Sequence, residues 1–234
     1  LGLFACLSYY FGNYSENFSF PLIRAIIGFY LCSIVFAIIF YTGYAYISAG
    51  MDGVRSLKYA FFPAANAFAT SSSLATIPVN FLSADEMNIP KSVSNITLPF
   101  GGIVHLDGTS MATVLEVLLM ASLFGVDMSG FSNNMMLLLF AVLAPLVSYG
   151  IPGGGNLMLQ SIMVKYFNLP LESFPILVVL HASIDAMISS LNAVGNLVGT
   201  MLITRLTKGE VWMLQQDIDY TTIADYVKNR KNNC

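Results

Sequence analysis

Two apolar segments of helix length are broken in the middle, one by Thr70-Ser71-Ser72-Ser73 and Pro78, the other by Gly150-Ile-Pro-Gly-Gly-Gly155. Inside a bilayer, irregular backbone survives only where it is buried in protein or lines a cavity, because lipid offers its N–H and C=O groups no partners. A spanning helix needs roughly 20 apolar residues, and neither arm of Tyr59–Phe81 or of Met135–Phe167 is that long. Each segment therefore reads as a re-entrant helical hairpin, with Ser71 to Ser73 at the tip of the first. That a membrane is the solvent follows from composition: 56% of residues are hydrophobic and 10% charged, where soluble domains carry about a quarter charged.

The rest of the chain fits a multi-pass all-α membrane protein. Leu1–Phe11 reads as the end of one span, Gly12–Phe20 as a polar loop and Pro21–Ile47 as a full span. Ile96–Phe124 and Phe174–Ile203 are long spans that bear Asp107 and Asp185. Residues 1–50 thus form a partial and a complete span, and 51–206 form the core. That core holds hairpin 1 over about 55–82, the Asp-bearing helix over about 96–124, hairpin 2 over about 135–167 and the last helix over about 174–206. Residues 207–234 are a polar tail headed by Trp212, a residue favoured at the membrane interface. The chain opens at Leu1 inside an apolar run and reads as a piece lacking earlier spans.

The order of hairpin and then Asp-bearing helix occurs twice, as internal repeats of inverted topology. Ser73 and Asp107 are 34 residues apart, and Gly154 and Asp185 are 31 apart. Broken helices at matching places in two repeats point to a solute site at the repeat interface. Their half-helix N-termini offer free N–H groups and positive partial charge, which suits a carboxylate. An acid such as Asp107 at membrane depth costs several kcal/mol unless something binds or pairs it. Arg55, Lys58, Lys91, Arg205, Lys208, Lys228, Arg230 and Lys231 fall on one side, against Arg24 and Lys165 on the other, which puts the C-terminus in the cytoplasm.

Ala69-Thr-Ser-Ser-Ser-Leu-Ala-Thr-Ile-Pro78, Leu98-Pro-Phe-Gly-Gly-Ile-Val-His-Leu-Asp-Gly-Thr109, Gly150-Ile-Pro-Gly-Gly-Gly155 and Asn196-Leu-Val-Gly199 resemble, in order and spacing, the motifs of the dicarboxylate/amino acid:cation symporters, the glutamate transporter family. The resemblance runs from Leu1 to about Gly209. It implies the transport core of an elevator-type homotrimer in the plasma membrane, without its N-terminal scaffold. It also implies that a small carboxylate-bearing solute, such as an amino acid or a dicarboxylate, meets Ser72, Ser73 and Thr109 together with Ile151, Pro152, Gly153 and Gly155 of the outer gate. Asp185, Ser189, Asn192 and Asn196 of the last helix complete the solute site. A coupling cation would be held near Gly101, His105, Asp107, Asn196 and Thr200, whose oxygens suit sodium. No other cofactor is implied.

The departures from the family pattern bear on specificity. His105 stands where the family has Asn, and Thr200 where it has a sodium-binding Asp. Ser189 replaces the Asp that holds a substrate ammonium, and Asn192 the Arg that clamps a side-chain carboxylate, while Asp185 is retained. A neutral or singly carboxylated solute fits this set better than glutamate or succinate, since bidentate pairing is gone. His105 also brings a group that titrates near neutral pH, so a proton is an alternative coupling ion.

Several functions are weighed and set aside. Net charge is −3 with no basic stripe before the tail, which excludes a nucleic-acid partner. A membrane serine hydrolase would need a nucleophile elbow, and no Gly-x-Ser-x-Gly occurs. A channel or a degenerate carrier of the same fold remains the alternative. Cys6, Cys32 and Cys234 have no metal-ligand spacing. Glu116 has no matching family role, and His181, near the end of its span, reads as interfacial.

Overall fold

The computed structural model describes residues 20–148, 156–209 and 212–214, and among these every regular element is helical. Helix α1 covers residues 20–36 and runs through a π-turn, Ala37–Tyr41, into α2, Thr42–Ser56. Ala49 (φ −150°) and Gly50 (φ 61°) kink α2, and the positive φ of Gly50 is one that a residue without Cβ adopts at no steric cost. Beyond a 3₁₀ turn at Leu57–Ala60 come α3, Phe61–Thr70, and α4, Ile77–Glu86, followed by α5, Lys91–Val104, and α6, Asp107–Phe124. Then follow α7, Phe131–Ser148, α8, Asn156–Tyr166, the 36-residue α9, Ser173–Lys208, and a 3₁₀ turn at Trp212–Leu214.

Among the described residues, four apolar stretches are long enough to cross a membrane: Phe20–Thr70, Lys91–Phe124, Phe131–Ser148 and Ser173–Lys208. Along α1 and into the π-turn, Ile23, Ile27, Leu31, Ile34 and Ile38 recur at helical spacing and are exposed. An apolar stripe of that length facing water would be a severe cost, whereas facing lipid it costs nothing. Helices α3 and α4 have ten residues each, or about 15 Å of rise, half of the roughly 30 Å hydrocarbon core. Between them the chain turns at Ser71, whose φ of 48° is left-handed.

α9 is the axis against which α2, α3, α5 and α6 pack. Two apolar clusters share it. One joins Leu22 and Phe29 of α1, Val117 and Met120 of α6, Leu137 of α7 and Met163 of α8 to Leu177, Ile184 and Ile188 of α9. The other joins Tyr41, Ala45, Ala84 and Leu98 to Leu191, Leu197 and Met201. They meet on α9 between Ile188 and Leu191, where the polar side chains gather. Trp212, read from the sequence as interfacial, is instead fully buried in the second cluster, and its indole N–H donates to the Ser48 carbonyl at 3.0 Å. In the α6–α7 connection, the Ser129 hydroxyl and backbone N–H hold the exposed Asp127 carboxyl below the usual carboxylate range.

Candidate functional site

The segment that the sequence presents as one Asp-bearing span is two helices, since His105 (φ −105°, ψ 82°) and Leu106 (φ −124°, ψ 72°) leave the helical region. Pro99 within α5 and the Gly101-Gly102 pair weaken the first helix before the break. Asp107 consequently sits not mid-helix but in the first turn of α6, where the helix dipole favours a negative charge. Its Oδ2 lies 3.1 Å from the Tyr41 hydroxyl, and that hydroxyl is nearer still, at 2.9 Å, to the Leu191 carbonyl. A phenol has one proton for these two acceptors. His105 Nε2 lies 3.8 Å from Asp107 Oδ1, beyond hydrogen-bond range. Among the described residues, the carboxylate thus shares a single donor and is short of partners.

Opposite it, α9 presents glycines. A Cβ on Gly195 would come within 2.6 Å of Asp107 Oδ2, 2.9 Å of the Tyr41 oxygen and 3.3 Å of His105 Cε1. One on Gly101 would collide with the Asn196 Oδ1. Asp107 and Tyr41 come this close to α9, and Asn196 to α5, because these positions lack side chains. Asn196 is buried and donates from Nδ2 to the Leu98 carbonyl at 2.8 Å, while Thr200 donates to the Asn196 carbonyl at 2.9 Å. Asp107, Asn196 and Thr200 carry carboxylate, carboxamide and hydroxyl oxygens, the hard donor types that a cation such as sodium takes.

One turn earlier on α9, Asn192 closes the broken helix from across the interface. Its Oδ1 accepts the N–H of Gly108 at 2.8 Å and of Thr109 at 3.4 Å, and its Nδ2 donates to Thr109 Oγ1 at 3.1 Å. α6 has no side-chain cap of its own, so Asn192 satisfies donors that every helix start leaves open. Gly108 itself is pressed against Ile188, too close for any Cβ.

The α3–α4 turn comes to the same place. Leu74 and Ile77 pack on Gly102, and Asn80 donates to the Ala193 carbonyl at 3.2 Å. Ser72 Oγ accepts the Ala75 N–H at 3.2 Å, a local turn bond. The Ser73 Oγ is buried with no hydrogen-bond partner among the described residues, an unmet donor and acceptor at the turn. Ser189 is buried on the same stretch of α9. Ile151, Pro152, Gly153 and Gly155 lie outside the described residues.

Asp185, expected at the solute site, lies beside His181 one turn earlier on α9. His181, read from the sequence as interfacial, is buried: its Nδ1 meets Glu116 Oε1 at 2.6 Å, and its Nε2 lies 3.8 Å from Asp185 Oδ1. Glu116 is 3% exposed and also accepts from Gln160 Nε2 at 3.3 Å. Sequence reasoning missed Tyr41, Gln160 and this cluster. The i, i+4 spacing of His181 and Asp185 puts both on one face of α9, and a carboxylate within a span needs a partner; together these were the available signal. Tyr41 had none, because a π-turn sets its direction.

Comparison with known proteins agrees with these motifs. The model of the sodium:dicarboxylate symporter family matches residues 1–206. The chain belongs to that family. It is 27% identical over 222 residues to excitatory amino acid transporter 2 of Mus musculus and 27% over 220 to that of Homo sapiens, in each case across 88% of this chain and 38% of the relative. It is 27% identical over 204 residues to a C4-dicarboxylate transport protein of Paraburkholderia phymatum, across 87% of this chain and 46% of the relative. The chain spans less than half the length of these relatives. As a symporter-family member it is a multi-pass membrane protein of a transporter family, not an enzyme.

Proposed function

We propose that the protein couples a cation, sodium in the first instance, to the uptake of a small carboxylate-bearing solute across the plasma membrane. The observation that carries this reading is the under-partnered Asp107 carboxylate, held at a helix start and set close against Gly195 of α9. A sodium ion there would give the carboxylate the partner that Tyr41 only half supplies. Asn196 and Thr200 would add neutral oxygens, and the Gly101 carbonyl a further one. The solute carboxylate would take the unmet Ser73 hydroxyl and the neighbouring turn at Ser72, between two helices read as a re-entrant hairpin. α7 and α8, with the Gly150–Gly155 segment between them, are the second hairpin and outer gate in this reading.

Asn192 and Ser189 offer no charge to a second carboxylate or to an ammonium, which favours a neutral or singly carboxylated solute. The relatives' names pair amino acid transport with C4-dicarboxylate transport; Ser189 sets this chain apart from amino acid carriers, as in C4-dicarboxylate carriers, and Asn192 sets it apart from carriers that clamp a second carboxylate with Arg. The working unit is a homotrimer with the C-terminal tail cytoplasmic.

The test is uptake by the full-length protein in liposomes, with a panel of labelled amino acids and mono- and dicarboxylates under a sodium or a proton gradient. Saturable sodium-driven accumulation of a monocarboxylate or neutral amino acid supports the reading. Flux that rises linearly with solute, ungated by either ion, would replace it with a channel, and no uptake with a degenerate carrier.

A further inference from the structure

The Asp107 site has a support that lies outside it, at the bend of α2. Ala49 (φ −150°, ψ 24°) and Gly50 (φ 61°, ψ −144°) break the helix there, and a broken helix leaves the carbonyls of its last turn without intrahelical partners. Past the break the chain presses back on itself, since a Cβ on Gly53 would collide with the Ala45 carbonyl. The carbonyl of Ser48, next to the break, is met from another part of the molecule: Trp212 Nε1 donates to it at 3.0 Å.

The end of α9 delivers that indole. Gly209 (φ 87°) closes the helix in a left-handed conformation, and three residues on stands Trp212, which is fully buried. To the same cluster α2 brings small side chains: Ala45 and Ser48 are fully buried, and the Ser48 hydroxyl has no hydrogen-bond partner among the described residues. One indole therefore supplies both the bulk and the donor that this stretch of α2 lacks.

Seven residues before Ser48 is Tyr41, two turns or about 10 Å away along the same helix. It ends the π-turn and sets its hydroxyl 3.1 Å from Asp107 Oδ2 and 2.9 Å from the Leu191 carbonyl. Tyr41, Ala45, Leu191, Met201 and Trp212 belong to one packed cluster, so α2 is tied to the α9 side at both ends of this stretch. Where the phenol lies depends on how the rest of α2 is held.

We propose that Trp212 is a positioning residue for the coupling cation: its hold on Ser48 fixes α2, and α2 fixes the Tyr41 hydroxyl between Asp107 and the Leu191 carbonyl. Without the indole bond α2 slackens at the Ala49–Gly50 break, the phenol leaves its place between two acceptors, and the Asp107 carboxylate is no longer held in one orientation for the ion. The role in cation binding rests on the symport reading; the link from Trp212 to Tyr41 does not.

Two measurements on the full-length protein separate these layers. Trp212→Phe keeps most of the packing and loses the donor. In liposomes it should raise the sodium concentration for half-maximal uptake about three- to tenfold and leave the maximal rate within about twofold. In a Tyr41→Phe background, with no hydroxyl to displace, the same change should shift sodium half-saturation by less than about 1.5-fold. A tryptophan that only stabilises the fold would act alike in both backgrounds, so equal shifts overturn the positioning role, as does an unchanged half-saturation for Trp212→Phe alone. Melting temperatures in detergent need no transport: the loss in the double variant should fall short of the sum of the two single losses, and strictly additive losses overturn the link. Wild-type uptake that ignores sodium overturns the symport reading and the cation role with it, while a non-additive melting cycle in that protein still supports the link from Trp212 to Tyr41.

Discussion

Asn192→Ala removes the side chain that closes the start of α6. The Gly108 N–H, bonded at 2.8 Å to Asn192 Oδ1, would be left buried and unmet, at about 1–3 kcal/mol. The 3.1 Å bond from Nδ2 to Thr109 Oγ1 adds about 0.5–1.5 kcal/mol. The Thr109 N–H, at 3.4 Å, is at the edge of hydrogen-bond range and adds little. The sum is about 2–4 kcal/mol, which for a helical body of this size lowers the melting temperature by roughly 5–15 °C. Thermal unfolding of the purified protein in detergent reads it, with Thr109→Val as the companion. That variant removes one partner of the shared bond and should cost about 1 kcal/mol, and the double variant should fall short of the sum of the two. A melting temperature for Asn192→Ala within about 2 °C of wild type would refute the clasp, because α6 would then have to start on some other support.

Gly195→Ala puts a methyl group 2.6 Å from Asp107 Oδ2, so the carboxylate must turn from Tyr41 and lose a charge-assisted bond of about 1.5–3 kcal/mol. Sodium half-saturation in uptake should rise about ten- to a hundredfold. Gly199→Ala, with His105 Nε2 no nearer than 3.6 Å, should change it far less; equal effects would contradict the close approach at Gly195. Trp212→Phe removes the indole bond to Ser48 and should cost about 1–2 kcal/mol, whereas Trp212→Ala empties a fully buried site at about 3–5 kcal/mol. Unchanged melting for both would mean that the Trp212 turn does not dock on α2.

The helical membrane character and the site's main strand of chemistry were legible in the sequence, because few residue types can be placed at bilayer depth without a reason. Asp107 announced itself in this way, and Thr70–Ser73 marked a turn that the structure has at Ser71. What the sequence withheld were contacts between distant residues. Glu116 and His181 are 65 positions apart, on helices whose facing is fixed by packing and not by local pattern. The break at His105–Leu106 was hidden because a short interruption within apolar residues leaves hydropathy unchanged. Tyr41 reaches Asp107 through a π-turn, a register shift that no spacing rule encodes.

The most direct measurement compares sodium-driven uptake by the wild-type full-length protein with that by Asp107→Asn, a near-isosteric change that removes the charge and keeps an oxygen for Tyr41. Wild type should accumulate solute against its gradient when sodium is high outside. Asp107→Asn should need at least about tenfold more sodium for the same rate. An unchanged sodium dependence in the variant would contradict the placement of the coupling cation at Asp107.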